Sequence, residues 1–148
     1  MSASQFVPPA AGRVLAVLDD RVTVKMAPED TDHAWELFEL AGPAASGPPL
    51  HAHPWRESYY VLEGVLDVQI AGRRETLTAG AVAIVPPGVA HTFKIRSERA
   101  RFLVLTSGDR AGAFFAELDR ERGDGTSMDA VVAVALRNGL ALEGPPLA

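Results

Sequence analysis

Residues 47–64 read GPPLHAHPWRESYYVLEG and place two histidines and a glutamate, His51, His53 and Glu57, within seven positions. The whole chain contains only four histidines. Side chains two residues apart in an extended strand lie on the same face, so His51 and His53 point the same way and Glu57 shares their parity. Pro54 is expected to interrupt the strand locally. The stretch is therefore either a polar turn at the surface or part of a site that holds a ligand.

The composition of the chain limits the kind of site that it can build. The 148 residues correspond to one domain, and 47% hydrophobic with 22% charged residues is typical of a globular protein. A net charge of −5 argues against nucleic acid as a partner. The chain has no cysteine, so disulfides, thiolate ligands and iron–sulfur clusters are excluded, and any metal must be bound by nitrogen and oxygen. With no signal-like or membrane-spanning run, we expect a cytoplasmic protein that does not bind membranes.

Short alternating runs broken by turn residues dominate the chain between residues 13 and 106. Runs of this length at roughly 10-residue spacing, most of them closed by Gly or Pro, predict an all-β antiparallel sandwich or barrel. The runs are RVLAVL, RVTVKM, HAWELFEL, SYYVLEG, VLDVQIAG, RRETLTAG, AVAIVPPG, HTFKIRS and RFLVLTSG. Residues 1–12 are predicted to form a loose N-terminal arm of the same single domain.

A helical extension is predicted for residues 107–148. The segment DRAGAFFAELDRERG has apolar residues at helical spacing and closes at Gly123. SMDAVVAVALRNG predicts a second helix, with Ser127 as its N-cap and Asn138-Gly139 as its end. The sequence does not decide whether these helices cover one sheet or lie at a subunit interface.

A second stretch, residues 80–93 with the sequence GAVAIVPPGVAHTF, adds a third candidate ligand, His91. Gly80, Pro86 and Gly88 punctuate a strand–turn–strand pattern, and Gly64, Gly80 and Gly88 are predicted to be turn glycines. If the sheet closes into a small barrel, His91 projects into the same interior as His51 and His53. Three imidazoles and one carboxylate suit one divalent transition metal ion, Fe, Mn, Ni, Cu, Co or Zn.

Four residues share the parity of these ligands and are candidates to line a substrate pocket. They are Tyr59, Val61, Phe93 and Ile95, with Trp35 as a further candidate. Ordinary packing inside the barrel is the alternative for each of them. His33 matches no pattern and is assigned to the surface, and Arg56 has the opposite parity and is expected to face outward.

The two stretches resemble the motifs of the cupin superfamily, G-x5-H-x-H-x3/4-E-x6-G and G-x5-P-x-G-x2-H-x3-N. The first motif fits from His51 to Gly64, although its opening glycine is displaced to Gly47. The second fits from Gly80 to His91, with Ile95 in place of the final Asn. The short spacer, residues 65–79, is similar to that of small single-domain bacterial cupins.

This resemblance implies a double-stranded β-helix barrel, the metal ligands His51, His53, Glu57 and His91, and a homodimer. The compact single barrel is similar to quercetin-dioxygenase-like cupins, which implies an oxidoreductase that acts on a small enolic, phenolic or carboxylate substrate. Glu57 is then also the candidate catalytic base. Two alternatives stay open, namely a cupin that binds a small molecule or metal without catalysis and a metal-dependent isomerase or decarboxylase.

Overall fold

The computed structural model describes residues 3–121 and 127–148. Eleven strands, two α-helices and one short 3-10 helix (Pro28–Thr31) are present in these ranges. The strands are β1 Arg13–Val17, β2 Asp20–Met26, β3 Trp35–Pro43, β4 Leu50–Ala52, β5 Glu57–Glu63, β6 Leu66–Ile70, β7 Arg73–Leu77, β8 Val82–Val85, β9 His91–Ile95, β10 Arg99–Ser107 and β11 Ala141–Gly144. The helices are α1 Ala111–Glu121 and α2 Met128–Arg137. The end of the first predicted helix at Gly123 lies outside the described residues.

The strands form two antiparallel sheets, which confirms the predicted all-β architecture. One sheet has the order β1-β2-β3-β10-β5-β8 and the other the order β11-β4-β9-β6-β7. The last strand, β11, pairs with β4 although it follows both helices. The sheets therefore extend beyond the range 13–106 that the sequence predicts for the barrel, and the chain returns from its helices to complete the second sheet next to His51.

The core lies between the inner faces of the two sheets. Tyr59 and Phe102 come from the first sheet and Phe93 from the second, and their ring centroids are 5.2–5.9 Å apart in edge-to-face contacts. Such aromatic pairs add stability beyond the area that they bury. Along β10 buried and exposed residues alternate, so Phe102 is fully buried whereas Leu105 faces outward.

Helix α1 is fixed to the first sheet at both of its ends. Glu36 of β3 is fully buried, and its carboxylate accepts a hydrogen bond of 3.0 Å from the Gly112 amide in the first turn of α1. Near the other end, Asp119 accepts a hydrogen bond of 2.8 Å from the Ala16 amide on the edge strand β1. Phe115 packs edge-on against Phe38 at 5.1 Å. These contacts hold the helix across one opening between the sheets.

The local sequence signals for turns and helix ends agree with the structure. Ser127 is the N-cap of α2 and accepts a hydrogen bond from the Ala130 amide. Gly64, Gly80 and Gly88 all have positive φ angles of 75–91°, a conformation that favours glycine. No helix in the described ranges is long and apolar enough to span a membrane.

Replacing Phe102 with Ala removes a side chain that contacts aromatic residues of both sheets. We expect the free energy of unfolding to fall by about 3–5 kcal/mol because the change leaves a cavity in a close-packed core. Urea unfolding followed by circular dichroism measures this loss. Leu105→Ala on the outer face of the same strand is the matched control and should cost less than about 1 kcal/mol. Equal losses in the two variants would contradict the assignment of inner and outer faces.

Candidate metal centre

Three of the four histidines meet in the interior. The candidate ligand nitrogens of His51, His53 and His91 all lie within 4.8 Å of one another. Their ring centroids are 4.4 Å apart for His51–His91, 4.7 Å for His53–His91 and 5.6 Å for His51–His53. Two nitrogens bound to one ion at about 2.0–2.1 Å are at most about 4.2 Å apart, so a small inward shift of the widest pair lets all three share one ion. The three histidines are thus positioned to bind a metal.

Strand pairing brings the two sequence motifs together. His51 in β4 lies directly opposite His91 in β9. His53 follows the end of β4, and its carbonyl accepts a hydrogen bond of 2.8 Å from the Gly88 amide in the turn that precedes His91. Trp55 stacks on the His53 ring at 4.2 Å with an interplanar angle of 9°. Strand register therefore places His51 opposite His91, and stacking on Trp55 helps to hold His53 beside them.

Each imidazole uses Nδ1 to bond a backbone carbonyl two residues away. The distances are 2.8 Å from His51 to Pro49, 2.9 Å from His53 to Trp55 and 2.9 Å from His91 to Val89. A carbonyl oxygen can only accept, so each Nδ1 carries the hydrogen and each neutral ring leaves the lone pair of Nε2 free. This is the orientation in which a histidine binds a metal through Nε2.

Glu57, the first residue of β5, brings its carboxylate to the same point. Its Oε2 lies 2.9 Å from His91 Nε2 and 3.4 Å from His53 Nε2. Burial by itself raises the pKa of Glu57, but when His53 and His91 also carry a proton at Nε2, their hydrogen bonds and charges outweigh burial and hold the pKa well below its usual range. The carboxylate is therefore ionised at neutral pH.

The nitrogens and the carboxylate oxygen are all acceptors when the rings are neutral. No hydrogen then separates Glu57 Oε2 from His53 Nε2 or His91 Nε2, and facing lone pairs repel. A cation between them, either a proton or a metal ion, relieves this repulsion. Burial lowers the pKa of His51 to about 4, with the neighbouring His91 adding to the effect, which disfavours protonation of that ring. The donor set of nitrogen and oxygen fits a divalent transition metal.

Tyr59 contacts the centre from the next inward position of β5. Its hydroxyl donates a hydrogen bond of 2.8 Å to Glu57 Oε2. Burial raises the pKa of Tyr59 well above its usual value, and the negative charge of Glu57 raises it further. Tyr59 therefore stays protonated and holds the carboxylate in place.

The centre opens into a small apolar cavity of about 100 Å³. The sheets supply Tyr59 and Phe93 to its wall, as the parity argument predicts. The helices supply much of the remaining wall, whereas the sequence did not decide where the helices pack. These helical residues are Phe114, Phe115, Leu118, Met128, Val131, Val132 and Ala135. Both helices thus form a roof over the metal centre.

The other sequence-predicted pocket residues lie elsewhere. Val61 and Ile95 are buried in the core between the sheets and are not part of the cavity wall. Trp35 is 49% exposed, and its prediction as a pocket residue is wrong. The inward residues of β3 are Glu36, Phe38 and Leu40, so Trp35 points to the outer face of the sheet.

The two residues that the sequence assigns to the surface are found there. His33 pairs with Asp109 at 3.0 Å, and its side chain is 58% exposed. Arg56 is exposed, in agreement with its opposite parity.

Asp20 is a cavity residue that the sequence analysis missed. It begins β2, is 5% exposed and lines the same cavity as His51 and Glu57. Burial raises its pKa to about 6 despite a hydrogen bond from Ser46, and Asp19 raises it further. In the sequence Asp20 follows another aspartate at a predicted turn, so only the structure separates the buried residue from the solvated one.

Substitution of single histidines tests the assignment of the metal ligands. We expect His51→Ala, His53→Ala and His91→Ala each to lower zinc occupancy from about one ion per chain to below about one tenth, because each variant removes one nitrogen ligand. Elemental analysis after zinc loading and gel filtration measures the occupancy. His33→Ala, which changes the remaining histidine, should retain the metal. Equal zinc content in all four variants would contradict the site.

The raised pKa of Asp20 predicts a pH-dependent stability. The unfolded state ionises near 3.8 and the folded state only near 6, so ionised Asp20 lowers the free energy of unfolding as the pH rises through this window. We expect Asp20→Asn to be more stable than the wild type by roughly 1–3 kcal/mol at about pH 8 and nearly equal to it at about pH 4. Urea unfolding at the two pH values measures both differences. A constant difference at both would show that burial does not shift this group.

The fold is shared with solved structures of other proteins. An RmlC-like cupin from Shewanella frigidimarina NCIMB 400 matches with a TM-score of 0.64 and 19% identity, over 75% of this chain and 96% of that one. The polyketide cyclase RemF from Streptomyces resistomycificus matches with a TM-score of 0.64 and 23% identity, over 71% of this chain and 80% of that one. At these identities the likeness concerns the fold.

Sequence comparison leads to the same family. Quercetin 2,3-dioxygenase of Bacillus subtilis (strain 168) is 32% identical over 85 residues, which are 57% of this chain and 25% of the dioxygenase. The chain therefore spans about a quarter of the length of that relative. The cupin domain family matches residues 37–106, the range that contains both histidine motifs. With two facing antiparallel sheets and the histidine cluster between them, the chain has the cupin fold, and residues 37–106 match the cupin domain family.

Proposed function

We propose that this cupin is a metal-dependent dioxygenase that acts on a small enolic, phenolic or carboxylate substrate. The proposed ligands of its single divalent metal ion are His51, His53, His91 and Glu57. The observation that carries the proposal is the convergence of three Nε2 lone pairs and one ionised carboxylate, which together require a cation. The identity of the metal among Fe, Mn, Ni, Cu, Co and Zn is left to experiment.

A bound transition metal would supply a Lewis acid able to activate the substrate or oxygen. Against a divalent ion the single carboxylate of Glu57 leaves a net positive centre, which favours an anionic oxygen of the substrate. The surrounding wall is apolar and partly aromatic, with Phe93, Phe114 and Phe115 near the centre. This lining favours an aromatic or otherwise apolar body for the ligand.

Glu57 is the group proposed to accept the proton of the substrate. Its carboxylate is ionised, buried and held at Oε2 by the Tyr59 hydroxyl. A proton acceptor must reach its proton at hydrogen-bond distance, and Glu57 faces the same space as the ligand nitrogens. Tyr59 acts through Glu57 as a positioning residue.

The size of the cavity restricts the substrate class. About 100 Å³ is close to the space that holds a single benzene-sized ring in a protein and is well below that of typical drug-sized pockets. A single ring with two adjacent hydroxyls or a short enolic acid is therefore the substrate size that we propose. The likeness to quercetin 2,3-dioxygenase supports oxygen chemistry, but the cavity does not favour a substrate as large as a flavonol.

Oxygen consumption tests the proposal. We expect protein loaded with Fe, Mn, Ni or Co to consume oxygen with simple catechols or small enolic acids, and to form no product under strict anaerobiosis. Glu57→Gln should lower kcat by about 100-fold or more because it removes both the proton acceptor and one proposed metal ligand, and elemental analysis of the variant separates the two effects. Glu63→Gln, on the exposed end of the same strand, is the matched control and should keep full activity.

The outcomes of this assay separate the alternatives. Turnover without oxygen would favour the metal-dependent isomerase or decarboxylase. Binding that stabilises the protein against heat with no product under any condition would favour a non-catalytic binding protein. Either result would contradict the dioxygenase. The homodimer and the cytoplasmic location stay predictions.

A second test concerns the neighbouring tyrosines of β5. Tyr59→Phe removes the hydroxyl that donates to Glu57, so we expect turnover to fall about tenfold while metal occupancy is unchanged. Tyr60→Phe alters the adjacent exposed tyrosine and should have no effect. Steady-state rates with parallel elemental analysis measure both quantities. Identical rates in the two variants would remove Tyr59 from the mechanism.

A further inference from the structure

The cavity has one polar point that does not belong to the metal centre. Four polar side chains, Asp20, His51, Glu57 and Tyr59, are found in its wall among the described residues. The last three form the metal centre and its hydrogen bond to Tyr59. Asp20 comes from a different strand, β2, and is surrounded in the wall by apolar residues such as Val17, Leu18 and Leu40.

Two small residues, Ser46 and Gly42, surround the carboxylate of Asp20. Ser46 donates a hydrogen bond to Oδ1. Gly42 of β3 faces the same oxygen so closely that any Cβ at this position would collide with it. A larger residue at 42 would displace the carboxylate, so the glycine leaves room for it in the wall.

These two residues satisfy only part of the hydrogen-bonding capacity of the Asp20 carboxylate. Within residues 3–121 and 127–148, the Ser46 bond is the one hydrogen bond to the carboxylate of Asp20, and no ion pair neutralises that carboxylate. An ionised carboxylate has about four acceptor sites, and burying it with most of them empty is costly. The raised pKa of Asp20 reflects the same cost. A hydrogen-bond donor on a bound ligand would supply the missing partner.

We infer that Asp20 is a specificity-determining residue that accepts a hydrogen bond from a hydroxyl group of the substrate, at a second point of the cavity apart from the metal centre. This inference rests on the proposed function, since it takes the substrate to occupy the cavity while its anionic oxygen faces the histidines. The substrate class then narrows to small rings or enolic acids with a further hydroxyl group. An analogue that lacks this hydroxyl leaves Asp20 buried without its partner and binds more weakly.

A purely structural role of Asp20 makes a different prediction. Its bond to Ser46 fixes the loop that leads into β4 and therefore into His51, and the Ser46 carbonyl accepts from the Ile95 amide. If Asp20 only held this loop, Ser46→Ala would reproduce every effect of changing Asp20. If Asp20 accepts a hydrogen bond from the ligand, Ser46→Ala leaves the Asp20 carboxylate in the cavity. The protein then still prefers a ligand that carries the hydroxyl.

Calorimetric binding of matched catechols to zinc-loaded protein distinguishes these roles. Zinc has no redox chemistry, so the probes bind without turnover. The probes are 4-methylcatechol with its hydroxymethyl counterpart and 4-ethylcatechol with its hydroxyethyl counterpart, which offer the hydroxyl at two distances from the chelating oxygens. The proteins are the wild type, Asp20→Leu, Asp20→Asn and Ser46→Ala. Asp20→Asn keeps the volume and an acceptor for Ser46, so it serves if the leucine variant does not fold.

In at least one pair, the hydroxylated catechol should bind the wild type about tenfold more tightly than its alkyl counterpart. This ratio should fall to about one in Asp20→Leu, fall severalfold in Asp20→Asn and persist in Ser46→Ala. Equal affinities within both pairs for the wild type would overturn the role of Asp20 and leave the proposed function standing. Loss of the preference in Ser46→Ala would also overturn it. If no catechol binds the zinc-loaded wild type, this inference fails together with the phenolic part of the proposed substrate class.

Discussion

Mutual repulsion among three imidazole nitrogens and a carboxylate oxygen is the constraint on which the structure depends. Each histidine is fixed by a bond from Nδ1 to a backbone carbonyl, so the opposite nitrogen faces inward without a hydrogen. Glu57 faces the same point and is kept in place by Tyr59. Such an arrangement is unfavourable by itself and becomes favourable once a cation lies within it. The pairing of the strands thus holds these groups close together despite their repulsion.

The two sheets position the candidate ligands, and the two helices cover the cavity beside them. The pairing of β4 with β9 sets the distance between His51 and His91, while β5 carries Glu57 and Tyr59 on its inner face. The roof closes an apolar space of about 100 Å³ and is held to the first sheet through the buried Glu36. The apolar surroundings of this space strengthen electrostatic interactions among the buried groups of the centre. The candidate metal ligands and most of the cavity wall therefore come from different parts of the chain.

Much of the site could be predicted from the sequence because it lies on strands, where side-chain parity is simple. His51 and His53 share a face by their spacing, and the resemblance to cupin motifs added His91 from a distant strand. Trp35 was misplaced because β3 carries apolar residues on both faces, so its pattern does not reveal which face is inside. The roof and β11 could not be predicted, since the packing of α1 and α2 depends on contacts with strands far away in sequence. Asp20 carried no signal, because its burial results from room left by Gly42 and from the Ser46 hydroxyl.

X-ray absorption spectroscopy of the protein loaded with one equivalent of zinc tests the central claim most directly, since it counts the imidazoles around the ion. Three imidazole nitrogens at about 2.0–2.1 Å, together with oxygen ligands at similar distances, would agree with a shared site inside the two sheets. A zinc ion surrounded by oxygen alone, or by a single imidazole, would show that the inward lone pairs do not bind one cation and would contradict the account.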